Sequence, residues 1–231
     1  MKLLKYLLII PARCGSKGIL FKNIVSVNDK PLIYYTLNVA KSLYKESLVD
    51  QLFVSTDCIE IAKVCEDLGF KIEKLRSKKN STDNAKTVDV VLEILEEYKQ
   101  KRISFENIII LQPTSPLRTY KNVKDALSLF QDEKSDSLIS VFYDETLSMD
   151  ILYKKNSTIL EPIGVDHNSG KQRQKNQKLY VRNGAIYIVK VDYLLKHKKI
   201  ISENPSFIEM NKIESINIDS QIDLEMAKKF L

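Results

Sequence analysis

Residues 7–23 read Leu-Leu-Ile-Ile-Pro-Ala-Arg-Cys-Gly-Ser-Lys-Gly-Ile-Leu-Phe-Lys-Asn. Leu7 to Ile10 form a short apolar run, the pattern of a buried first strand. Pro11 cannot donate to a strand ladder, so the run ends there. The loop that follows pairs small residues with cations: Arg13, Gly15, Ser16, Lys17, Gly18, then Lys22 and Asn23. In an open α/β sheet, ligands sit outside the carboxyl ends of the strands. Gly15 and Gly18 let backbone N–H groups turn toward a phosphate. Arg13, Lys17 and Lys22 add charge, the arginine as a fixed fork and the lysines as points. The loop is neither a Walker A sequence nor GxGxxG. Two readings stand open from these residues: an anion cradle, or a basic surface loop after a buried strand.

Outward from this loop, strands and helices alternate. Pro31 suits the first position of a helix whose apolar residues run from Leu32 to Tyr44. Leu52 to Thr56 reads as a strand with Asp57 at its end, where the carboxylate suits a cap for a helix from Ile59. That helix closes at Gly69, and Phe70 to Glu73 reads as a further short strand. Ser81, Thr82 and Asp83 are capping residues before a long helix with Val88, Val91, Leu92, Leu95 and Tyr98 on its buried stripe. Ile108 to Leu111 is too apolar for one-sided exposure and belongs in the middle of a parallel sheet. A helix around Val123 to Phe130 and a strand from Leu138 to Phe142 follow. The pattern predicts a doubly wound α/β fold with a mostly parallel sheet and helices on both faces.

The alternation breaks at residues 143–180, which have few periodic apolar positions. They are expected to form an inserted arm or lid within one 1–231 domain. Order resumes with a strand at Ala185 to Val189, a short helix at Asp192 to His197, and a strand at Glu214 to Ile218. Asp219 and Ser220 then cap a final helix to Leu231.

At 231 residues the chain can bury a substantial core, and 44% hydrophobic with 29% charged residues are globular values. A net charge of +6 suits a phosphorylated or acidic ligand as well as a nucleic acid. Cys14, Cys58 and Cys65 form no CxxC pair and no cluster with the two histidines, which favours free thiols in a reducing compartment. Cys14 itself reads as an unreactive small residue in the loop. Met1 to Ile10 mimics the start of a signal peptide but has too short an apolar core and no cleavage site. No stretch approaches the ~20 apolar residues of a membrane span. The expectation is a cytoplasmic protein.

A second motif follows the central strand: Gln112-Pro113-Thr114-Ser115-Pro116-Leu117-Arg118. Its prolines fix the loop, which reads by itself as a rigid turn. Together with Pro-Ala-Arg-x-Gly-Ser-Lys and Lys22-Asn23, it resembles the signatures of the acylneuraminate cytidylyltransferases, which make CMP-N-acetylneuraminate and related activated sugars. Val54 to Asp57 and Asn183 to Ile188, read as NGAIYI, are also similar to segments of that family, and the resemblance spans Ile9 to about Ala227.

The resemblance implies a Rossmann-like nucleotidyltransferase that transfers CMP from CTP to a nine-carbon sugar acid and releases pyrophosphate. N-acetylneuraminate is the first candidate acid; legionaminic acid, pseudaminic acid and Kdo are the alternatives. It implies nucleotide contacts from Arg13, Lys17, Lys22, Asn23, Arg76 and Thr87, and sugar contacts from Gln112, Arg173, Asn183 and Tyr187. Arg173 lies ten residues before the NGAIYI segment, at the spacing of the family's substrate arginine; Arg182 is displaced by one from the second such position. An Asp-x-Asp pair for Mg²⁺ is the family pattern near the last helix. Here it reads Asn217-Ile218-Asp219, so Asp219 is the metal candidate and Asn217 offers only a neutral carbonyl. By resemblance Lys22, Arg13 and Asp219 are the catalytic candidates, and an arm over Tyr143 to Ile163 implies a homodimer.

Lys171 to Arg182 carries five basic residues and no acid. A nucleic-acid surface would interleave aromatics, and only Tyr180 is present. No nucleic-acid partner is therefore expected, although a basic nucleic-acid-binding module is the remote alternative.

Overall fold

The computed structural model describes residues 1–15, 18–164 and 178–231. Strand β1 spans Lys2–Pro11, longer than its apolar core because Lys2 to Lys5 continue the ladder at the exposed end. Two short strands, β2 (Ser26–Val27) and β3 (Lys30–Pro31), form a hairpin turned by Asn28 and Asp29, both at positive φ. Then follow α1 (Leu32–Lys45), β4 (Gln51–Ser55), α2 (Ile59–Asp67), α3 (Thr87–Gln100), β5 (Ile103–Leu111), α4 (Tyr120–Asp132) and β6 (Ser137–Tyr143). A small antiparallel pair, β7 (Tyr153–Asn156) and β8 (Ile159–Pro162), precedes β9 (Tyr180–Lys190), α5 (Val191–His197), β10 (Ser206–Glu209) and α6 (Gln221–Phe230).

The main sheet has the order β10-β6-β9-β5-β1-β4. Among the described residues β9 alone runs against its neighbours, pairing antiparallel with β5 and β6; the other pairings are parallel. The fold is thus α/β with a mostly parallel sheet. Strand alternation divides the core in two. Leu8 and Ile10 of β1 face Ile33, Leu37, Ala126 and Phe130 from α1 and α4. Leu7 and Ile9 face Val91 and Ile94 of α3 and Leu194 of α5. Every one of the four β1 residues is fully buried, which is why the run carries no polar alternation. A third cluster seats α6, through Leu224 and Ala227, against Val27, Leu32 and Ile218 beside the first loop.

Several local expectations are corrected. Residues 70–73 form no strand. Phe70 and Ile72 pack against the first core cluster without a ladder partner, so burial satisfied their apolar character and no pairing was needed. Residues 214–218 form no strand either. Ile216 and Ile218 pack in the α6 cluster, and the sheet instead gains β10, a half-exposed edge strand parallel to β6. Helix α3 begins at Thr87 rather than after Ser81–Asp83, because residues 78–81 form a separate 3-10 turn. Pro31 stands at the cap of α1, one position before the helix. Ser220, not Asp219, caps α6: its hydroxyl receives the Asp223 N–H, and the Asp223 carboxylate receives the Ser220 N–H. Residues 143–164 of the expected arm hold a 3-10 turn at Met149–Ile151 and the β7–β8 hairpin, whose strand residues are all exposed.

Candidate active site

The carboxyl ends of β1 and β5 open onto one cleft of about 450 Å³. The loop after β1 supplies Arg13, Gly18, Lys22 and Asn23 to it, and the loop after β5 supplies Gln112 and Thr114. Arg76 and Thr87 close one wall and Asp219 the other.

The first loop is braced by its own side chains. Asn23 is buried, and its Nδ2 donates to the Arg13 carbonyl at 2.8 Å, folding the loop back on its start. Ala12 N–H donates to Ser55 O and Cys14 N–H to Asp57 Oδ1, both at 2.8 Å. Asp57 therefore anchors the loop; the expectation that it caps α2 is corrected, since Cys58 occupies the cap position. Gly18 passes so close to the far wall that a Cβ there would meet Asp219 O at 2.4 Å. Only glycine permits that approach.

Lys22 is a tightly held cation of the cleft. Its side chain is 13% exposed, and its Nζ donates to Ile218 O at 2.7 Å and to Asp219 Oδ1 at 2.9 Å. The other Asp219 oxygen accepts from Asn217 Nδ2. The Asp219 side chain is 71% exposed, so its carboxylate faces the cleft while both oxygens are oriented. Ile218 N–H donates to Thr114 O at 2.8 Å, which fastens this wall to the loop after β5. On the opposite side Arg13 pairs with Asp83 at 2.9 Å. Asp83, expected only as a helix cap, is thus part of the cleft. Its sequence signal was ambiguous, because an acid ahead of a helix always reads as a cap. Arg76 is held by Ser55, Nε to the hydroxyl at 2.9 Å and Nη2 to the carbonyl at 2.6 Å. Burial lowers its pKa and Arg13 adds to that, while Asp57 and Glu93 oppose it.

Other expected residues fall elsewhere. Asn183 lies buried behind the cleft as a brace: Nδ2 donates to Ser215 Oγ at 2.8 Å, and Oδ1 accepts from Ser140 Oγ and from Ala185 N–H. With these bonds made, little amide capacity remains for a sugar. Tyr187 packs on the α3 side of the sheet, and burial raises its pKa. Arg118 is buried and donates to Gln112 O, Ala185 O and Thr36 Oγ1, tying three elements together. Lys17 and Arg173 lie outside the described residues. Arg182 is exposed on β9.

The chain belongs to the cytidylyltransferase family, whose family model matches residues 7–230. An N-acylneuraminate cytidylyltransferase of Streptococcus agalactiae serotype V is 29% identical over 95% of this chain and 52% of its own length. The chain thus spans about half the length of such relatives. The CMP-N,N'-diacetyllegionaminic acid synthase of Legionella pneumophila is 30% identical over 99% of this chain and 97% of its own. Among solved structures, a CMP:2-keto-3-deoxy-manno-octonic acid synthetase complexed with CTP superposes with a TM-score of 0.71 at 17% identity, covering 98% of both chains. A 4-diphosphocytidyl-2C-methyl-D-erythritol synthase gives 0.67 at 13%, covering 98% of this chain and 97% of that one. These two likenesses concern the fold. Among the described residues, no helix is long and apolar enough to cross a membrane.

Proposed function

We propose that the chain transfers CMP from CTP to a nonulosonic acid, releasing pyrophosphate, with N-acetylneuraminate as the first candidate acid. The observation that carries this reading is the cleft itself: Lys22, Arg13 and Arg76 converge on it with the Gln112 loop beside them, in a chain of the cytidylyltransferase family. The anomeric hydroxyl of the acid attacks the α-phosphorus of CTP. A new P–O bond forms, the bond to the β-phosphoryl oxygen breaks, and the hydroxyl proton passes to a base, for which Asp219 in the cleft wall is the candidate. Lys22 meets the charge developing on the pyrophosphate with an ammonium already fixed by two acceptors. Such pre-positioning needs no covalent intermediate. Arg13, Lys17, Asn23, Arg76 and Thr87 are assigned to nucleotide binding. Gln112 and Arg173 are assigned to the sugar acid, with Asn183 and Tyr187 supporting that side of the site.

The donor set at Asp219 fits Mg²⁺: one exposed carboxylate, with the Asn217 amide nitrogen turned to Asp219 and its carbonyl left as a neutral ligand. Mg²⁺ relies on one or two carboxylates plus substrate phosphates. Bound there, it would neutralise phosphate charge.

A second acid, N,N'-diacetyllegionaminate, is favoured by the Legionella relative, which this chain matches over nearly its whole length. A cytoplasmic location follows from the family resemblance alone; the homodimer it implies draws on the β7–β8 hairpin, where Ile159 and Leu160 stand 62% and 64% exposed. Pyrophosphate release from Mg·CTP, with N-acetylneuraminate, legionaminates, pseudaminate and Kdo offered separately, tests the reading. Release with one acid supports it and names the substrate; no release with any rejects it.

A further inference from the structure

Strands β1 and β4 end side by side with Pro11 opposite Ser55. Three residues beyond those positions stand Cys14 and Cys58. The two backbones remain joined past the strands by the Ala12–Ser55 and Cys14–Asp57 hydrogen bonds. Helix α2 then begins, and its first turn presents Glu60 two residues after Cys58. The Cys58 thiol donates to Glu60 Oε2 at 2.9 Å. The two sulfurs and a Glu60 oxygen all lie within 4.8 Å of one another. Cys58 is buried, Cys14 is half-buried, and Glu60 is exposed, so the cluster has a polar door to solvent.

Cys58 belongs to the first core cluster and Cys14 packs against it, yet the two thiols and the carboxylate also converge as a donor set that the proposed transfer does not use. Soft sulfur ligands select zinc-class ions over the hard Mg²⁺, which takes oxygen. Zinc binds thiolate at about 2.3 Å and carboxylate at about 2.1 Å, so a tetrahedral ion spaces its ligands roughly 3.5–3.8 Å apart. Side-chain rotations of about 1 Å bring the three donors to that spacing. We propose that Cys14, Cys58 and Glu60 bind one thiophilic divalent cation of the zinc class, fastening the loop after β1 to the start of α2. Binding converts two thiols to thiolates and releases two protons; Glu60 enters as carboxylate, and water completes the fourth position. Affinity accordingly rises with pH. None of Cys14, Cys58 and Glu60 lines the cleft that holds Lys22 and Asp219, so this site is separate from Asp219.

The test uses the reduced full-length chain in excess Mg²⁺, with Co²⁺ as the coloured stand-in for zinc. A thiolate-to-cobalt charge-transfer band that saturates at one cobalt per chain, and is bleached by Zn²⁺, is the expected result. The band is lost in Cys58→Ser and in Cys14→Ser, the latter a half-buried position that tolerates the change, and cobalt binds at least tenfold more weakly in Glu60→Gln. Cys65→Ala, in the core beyond the cluster, leaves the band unchanged. Absence of any thiolate band in the wild-type chain, or a band that survives both serine variants, overturns the proposal. Neither outcome depends on turnover, so it leaves the transferase reading untouched.

Discussion

The loop after β1 and the loop after β5 leave adjacent parallel strands on the same edge of the sheet, and each carries an arginine and a side-chain amide. Arg13 stays half-exposed and reaches across the cleft to Asp83. Arg118 turns inward, is 2% exposed, and spends its donors on carbonyls of the β5 loop and β9 and on a hydroxyl of α1. Burial drives its pKa down, with no carboxylate beside it to oppose the shift. The first loop is a site held open by braces, and the second is a brace that forms one wall of the site. Their compositions are alike; what differs is the direction in which the chain continues. After Asn23 it passes to a two-residue-stranded hairpin that is anchored by Val27 and otherwise largely exposed, whereas after Arg118 it enters α4, whose Val123 and Phe130 pull the loop onto the core.

This contrast breaks first at Lys22. Replacing it by alanine is expected to lower kcat/KM for CTP turnover by about 10²–10³-fold, the usual cost of removing a pre-positioned charge-stabilising donor. Its stability changes by no more than ~1 kcal/mol, since the lost bonds lie at a wet cleft. Steady-state kinetics and a urea melt on the same variant separate the two. Arg118→Ala is expected to do the reverse. It leaves Gln112 O and Ala185 O without their donor in the interior and opens a void, so unfolding free energy falls by about 3 kcal/mol. The folded fraction keeps its KM for CTP. A KM rise of tenfold or more with an unmoved melt would place Arg118 in the site and erase the distinction.

The smallest effect is expected at the foot of the Asp219 wall. Ser220→Ala removes one half of the α6 capping box and costs about 1 kcal/mol. Burial alone would raise the Asp223 pKa, but the Ser220 hydroxyl, the Asp219 and Ser220 N–H groups and Lys22 together lower it. A depressed carboxylate stabilises the fold fully above its unfolded pKa of about 4, and that contribution is lost as pH falls through the folded value. Melts in Ser220→Ala should therefore show a shallower acid dependence than wild type below about pH 4. An unchanged acid limb would show that the carboxylate is held by the Asp219 and Ser220 N–H groups and Lys22 rather than by the Ser220 hydroxyl.

Much of the architecture was legible because it follows from local pattern. Leu7 to Ile10 and Ile108 to Leu111 are apolar without alternation, and both lie in the sheet interior. The stripes of α1 and α4 face the core, whereas on α3 Val90 and Ile94 are buried in addition to Val88, Val91 and Tyr98, and the expected Leu92 and Leu95 are only partly buried. The misreadings share one cause. Ile216 and Ile218, like Phe70 and Ile72, have the apolar content of a strand, but content reports burial and not hydrogen-bonded pairing. β10 was missed for the complementary reason: an edge strand of four residues with one exposed face carries too little apolar signal to stand out.

At the cleft, residue types and spacing in the sequence marked the loop after β1 as a candidate anion cradle, because glycine and cation placement are local properties of the chain. Tertiary structure alone decided that Lys22 is fixed by Ile218 and Asp219, 196 and 197 residues away. It alone made Asp57 and Asp83 partners of the loop rather than caps, and Asn183 a buried brace rather than a surface contact. It also brought Cys14 to Cys58 and Glu60. A side chain's role depends on which polar groups are left to it once strands from distant parts of the chain lie side by side, and that is settled by strand order, not by its neighbours in sequence.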